Sequence, residues 1–170
     1  MLTIIAFLMG FAATPRTPNA CEVLSPRDIA KVQGARSTSA KLTEHDTHDM
    51  KVSQCFYALP HLSDSVTVDL IRGDVRAFWK HHFAEARDDD EKERETKPVA
   101  NRTPGSEPEN RPKRIEGVGD DAVWSGNRLA GALYVLKGDT IVRVSVGGAG
   151  SQEQKIEKAK VLAARALRKL

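Results

Sequence analysis

Two cysteines, Cys21 and Cys55, place the tightest constraint on what this chain can fold into. They follow an N-terminal segment that reads as a leader. Leu2 to Ala13 is almost unbroken apolar sequence, too short for a helix of about 20 residues that would cross a bilayer, and its end carries the small residues Gly10, Ala12 and Ala13. This pattern suits signal-peptidase cleavage, although no Lys or Arg precedes the run. An exported chain with a single cysteine pair most simply forms one disulfide, so Cys21–Cys55 is the expected staple. The two thiols are too far apart in sequence for a CxxC redox centre, and two thiols alone make no zinc site. A lipid-modified Cys21 is the variant reading. Ala20 suits such a site and Pro18 does not, which favours an ordinary thiol.

The rest of the chain divides by pattern. Residues 1–20 are assigned to the leader and 21–170 to one domain, with a flexible insertion at about 88–114, where prolines and charges replace the apolar pattern. Ser25 caps a helix with Pro26 at its first position and Asp28 in its first turn, and Gly34 stops it. Ile29 and Val32 face inward. Ala35 to Met50 reads as a polar loop. "KVSQCFYAL" reads as a strand, and in "SVTVDLI" Val66, Val68 and Leu70 share one face while Thr67 and Asp69 share the other. Val75, Phe78, Trp79, His82, Phe83 and Ala86 recur at helical spacing. Past the insertion, strand formers resume at Ala122. Lys137-Gly138-Asp139 supplies the turn of a hairpin whose second strand puts Val142, Val144 and Val146 on one face and Arg143 and Ser145 on the other. Ser151 and Gln154 form a capping box for a final helix. Ile156, Ala159, Ala163, Ala166, Leu167 and Leu170 would line its inner face, with Lys155 and the other basic residues outside. The expected fold is α+β: an antiparallel sheet with helices packed on it, in two loosely similar halves joined by the Pro-rich charged linker.

Function is constrained mostly by elimination. A formal net charge of +3, from 26 basic and 23 acidic residues, offers no field directed at nucleic acid. "EGVGDDAVW" (Glu116–Trp124) does not make a dinucleotide fingerprint, because strand formers, not a helix, follow its glycines. Asp120 and Asp121 are no acid pair, since neighbours in a strand point to opposite faces, and the stretch reads as a turn. No nucleophile elbow or Ser/His/Asp order is present, so neither enzyme activity nor a cofactor is expected. His45 and His48, with Asp46 or Asp49, form a candidate metal loop, which zinc and copper titration of the His45→Ala variant would test. His82 is expected to be packed on the apolar stripe. The cationic outer face of the last helix reads as a solvated surface.

The order of Cys21-Glu-Val-Leu-Ser-Pro, a short helix ending at Gly34, Cys55-Phe-Tyr, Gly117-Val-Gly119-Asp120-Asp121-Ala122-Val-Trp124, "LYVLKGDTIVRVSV" and an Ala-rich terminal helix resembles small exported bacterial proteins and lipoproteins of unknown function. These are similar in layout to the extracellular sensor domains of actinobacterial serine/threonine kinases. The resemblance implies a periplasmic or secreted binding or sensor-like module. Its partner would be a small ligand or envelope component, with membrane attachment only through the leader or a lipid on Cys21, and the module would be monomeric.

Overall fold

The computed structural model describes residues 16–47, 49–84, 112–127 and 129–170. Among them, seven strands form one sheet in the order β1-β2-β3-β7-β6-β5-β4, every adjacent pair antiparallel. The strands are β1 (Ser39–Asp46), β2 (Met50–Ala58), β3 (Val66–Gly73), β4 (Lys113–Arg114), β5 (Asp121–Gly126), β6 (Gly131–Lys137) and β7 (Thr140–Val146). The helices are α1 (Ala20–Val23), α2 (Pro26–Gln33), α3 (Val75–Trp79), which continues as a π-helical turn over Lys80–Ala84, and α4 (Gln152–Leu167). The α+β architecture with an antiparallel sheet is as the sequence implies.

Period-two alternation assigns each strand residue to one of two faces. The first face carries Cys55, Tyr57, Val66, Val68, Leu70, Trp124, Leu133, Val135, Val142 and Val144, all buried under α1, α2 and α4 in the main core. The indole NH of Trp124 is buried there without a hydrogen-bond partner. Helix starts follow the local chemistry. Asn19 with Glu22, Ser25 with Asp28 and Ser151 with Gln154 each form a reciprocal capping box, and Gly34 ends α2 in the left-handed region at φ 78°. A salt bridge of 3.2 Å joins Asp28 on α2 to Arg165 on α4.

Cys21 in α1 and Cys55 in β2 are joined as a disulfide, which fixes α1 to the sheet. Tyr57, 1% exposed, reinforces the tie by donating its hydroxyl to the Leu24 carbonyl at 2.8 Å. Burial, with the Asp28 carboxylate nearby, pushes its pKa up to about 12. Because the folded pKa lies above the ordinary tyrosine value near 10, this stabilisation is complete below pH 10 and is lost as pH rises towards 12. A phenolate absorbance titration of the native protein should show one tyrosine ionising late, and Tyr57→Phe should remove that late step.

Several expectations give way. The segment taken as a polar loop, Ala35–Met50, contains all of β1, paired with β2 from Ser39↔Ala58 to Asp46↔Lys51. Seven of its eight residues are exposed, so solvent on both faces erases the alternation that marks a half-buried strand. A short strand, β4, precedes "EGVGDDAVW", where only the linker was expected. His82 is exposed rather than packed: the i→i+5 geometry of the π-turn rotates it outward, where it stacks on Phe78 at 4.2 Å. Lys155 is 6% exposed because it lies four residues before Ala159 on the inner stripe of α4, whereas Leu170, beyond the helix end, is 45% exposed. Leu162, left off that stripe, is fully buried.

Candidate functional site

Among the described residues, the second face of the sheet is only partly covered. Val75, Trp79 and Phe83 on α3 and its π-turn pack over Ile71, Val123, Leu136 and Ile141, forming a second, smaller core. Asp121 of β5 anchors this cover by accepting from Trp79 Nε1 at 3.1 Å. Beside it the face is open: Lys41, His45 and Phe56 are exposed, and Gln54, Thr67, Arg143 and Ser145 are half-buried.

Across the boundary between covered and open sheet runs one polar row. Gln54 on β2 pairs with Asp69 on β3, Asp69 with Arg143 on β7, and Arg143 with Tyr134 on β6. The backbone register therefore places four side chains next to one another on one face, and each holds the next. Gln54 Nε2 donates to Asp69 Oδ1 at 2.9 Å, Arg143 Nη1 to Asp69 Oδ2 at 2.7 Å, and Arg143 Nε to the Tyr134 hydroxyl at 3.1 Å. The Arg143 guanidinium also lies over the Tyr134 ring, 5.6 Å from its centroid. The other end of the row is braced by Phe83, 5.0 Å from Tyr134.

Asp69 is 4% exposed, while the Arg143 side chain keeps 29% of its surface in solvent. Burial pulls the Arg143 pKa down, but Tyr134 and Asp69 more than offset that, and the net shift is upward. The guanidinium stays a cation, held against the Asp69 carboxylate. Such a row orients hydrogen-bonding groups without the side-chain freedom that a ligand would otherwise have to freeze. The sequence placed Asp69 and Arg143 on the outward faces of their strands. It gave no sign that they meet, since that depends on β3 lying beside β7, 74 residues away in the chain.

The other candidates resolve differently. The two carboxylates of "EGVGDDAVW" diverge as expected. Asp120 accepts from Lys137 Nζ at 2.7 Å and from the Gly138 amide at 2.8 Å, clamping the β6–β7 turn, while Asp121 faces the α3 cover. Gly119, just before them in the chain, has φ 67°, and a Cβ there would stand 2.6 Å from the Leu136 carbonyl, so the turn requires glycine. His45 is an exposed β1 residue opposite Val52, and Asp46 lies 3.7 Å from Lys51. His48, the other half of the proposed metal pair, lies outside the described residues. Among the described residues no group of three or more His, Cys, Asp or Glu side chains converges on a metal position. A cavity of about 230 Å³ between β4 and α4 is bounded by Lys113, Arg114, Lys160, Glu116, Glu153 and Glu157, whose charges offset one another.

Fold and site together define an α+β domain with one sheet face sealed by helices and the other half open and polar. The chain matches no protein-family model, no curated protein and no solved structure.

Proposed function

We propose that the protein is an exported, non-catalytic binding or sensor-like module of the bacterial envelope, and that it presents the open half of its sheet to a small ligand or an envelope component. The observation that carries this reading is the Gln54–Asp69–Arg143–Tyr134 row, held in place and half accessible beside the α3 cover. The Cys21–Cys55 disulfide supports export, because such bonds persist in oxidising compartments. A Cys21 sulfur engaged in that bond is not free to carry a lipid thioether, which favours a soluble product over an anchored one. The resemblance in layout to extracellular sensor domains points the same way.

Pro18, Asn19 and Ala20 belong to the fold. The Pro18 carbonyl accepts from Arg72 at 2.9 Å, Asn19 caps α1, and Ala20 is fully buried. Cleavage of the leader upstream of Pro18 therefore suits the domain better than cleavage at Ala20.

Intact-mass and peptide mapping of protein purified from its native host tests the assignment. The expected product lacks the apolar leader, retains Pro18 and Asn19, and protects both sulfurs from alkylation until reduced. A retained leader with two alkylatable thiols overturns export. Turnover of any substrate that depends on one side chain of the domain overturns the non-catalytic reading.

A further inference from the structure

The chemistry of the open face narrows the ligand. Asp69 and Arg143 neutralise each other at 2.7 Å, so the centre of the row carries no net charge with which to capture either an anion or a cation. What it retains is a mixture of hydrogen-bonding capacity. Arg143 spends Nε and Nη1 inside the row, leaving Nη2 as a donor, while the Tyr134 hydroxyl accepts from Nε and keeps its own proton to donate. Gln54 spends its amide nitrogen on Asp69 and leaves its carbonyl oxygen as an acceptor. Thr67, half-buried on the same face, adds a hydroxyl.

Two residues along β2 from Gln54, on the same face at about 7 Å, Phe56 is 37% exposed between its cross-strand partners Lys41 and Thr67. An alternation of fixed donors and acceptors beside an exposed aromatic ring complements one kind of small molecule: an uncharged polyol. Its hydroxyls both donate and accept, and its C–H face lies well against an aromatic ring.

Stability alone is a weak reason for such a row. A charge pair in the middle of a sheet loses solvation that its attraction only roughly repays, and apolar residues of the same volume do as well or better.

We propose that this half-face is a saccharide subsite. Phe56 packs against the ring face of one unit of a neutral oligosaccharide, and Gln54 and Arg143, with Tyr134 at the far end of a row that spans about 14 Å across four strands, hydrogen-bond to hydroxyls along it while Asp69 holds them in register. The proposal rests on the binding-module reading above and specifies its ligand.

Nuclear magnetic resonance of the isotope-labelled full domain tests it, using cellobiose, maltotriose and N,N′-diacetylchitobiose as probes and inorganic phosphate and acetate as anionic comparators. The expected result is a saturable shift of the Arg143 Nε–H and Gln54 side-chain amide signals with at least one saccharide. Phe56→Ala should weaken that binding about ten-fold and Gln54→Ala about five-fold. Val161→Ala, which changes an exposed residue of α4, the helix packed on the opposite face of the sheet, should leave it unchanged. Phe56 is exposed, so its variant should keep the folded spectrum and the comparison stays valid.

If phosphate or acetate shifts these signals and the saccharides do not, the ligand class is wrong. Saccharide binding unaffected by Phe56→Ala and Gln54→Ala makes the location wrong. A response to none of the probes overturns the subsite altogether. In each case the binding-module assignment is judged separately, by the native-host product and the absence of turnover.

Discussion

Asp69→Ala should lower the unfolding free energy by about 3 kcal/mol, the low end of the range for stranding a buried charge. The low end applies because the Arg143 side chain keeps 29% of its surface in solvent. The substitution removes the acceptor of both the Gln54 amide and the Arg143 guanidinium, leaving two donors unmatched on one face. The informative comparison is the double variant Asp69→Leu with Arg143→Met. Removing both charges and keeping the volume should return stability to within about 1 kcal/mol of the native protein, or above it. Urea unfolding of the single and double variants reads both values. A double variant as unstable as Asp69→Ala would show that the row is structural. A role in recognition would then not be needed to explain it.

Removing the disulfide should have an effect of similar size by a different route. Cys21 and Cys55 lie 34 residues apart, and a loop of that length contributes about 3–4 kcal/mol by restricting the unfolded chain. The Cys21→Ala/Cys55→Ala protein should therefore unfold at lower denaturant with a steeper dependence on it, since its unfolded state is more expanded. The folded state keeps its own hold on α1. The Tyr57 hydroxyl still donates to the Leu24 carbonyl, and Ser53 still accepts from the Ala20 amide at 3.0 Å. The spectrum of the native fold should therefore survive at low temperature. An unchanged denaturation midpoint after reduction would mean that the covalent tie contributes little, and the link from cysteine pair to an oxidising compartment would weaken with it.

The limits of the sequence are physical ones. Alternation is legible only where one face of a strand is dry. It therefore shows β3 and β7, whose valines fill the core, and hides β1, whose residues are solvated on both sides. Helical spacing assumes 3.6 residues per turn, and the π-turn over Lys80–Ala84 breaks that assumption, so Val75, Phe78, Trp79 and Phe83 keep to the stripe while His82 turns outward. The candidate site was half legible. Asp69 and Arg143 could each be set on the outward side of a strand, but their meeting leaves no local spacing, whereas His45 and His48 stand three residues apart.

What the amino-acid order determined alone is what neighbours in the chain can decide. Ser25, Ser151, Pro26 and Gly34 mark where helices begin and end, Lys137-Gly138-Asp139 marks a hairpin, and two cysteines with no competitors settle their own pairing. Only the tertiary structure decided which strands lie side by side, and with that the meeting of Gln54, Asp69, Arg143 and Tyr134. A side chain's face is set by its neighbours two residues away, whereas its partner across the sheet is set by the whole fold's burial of apolar surface, which no local window contains.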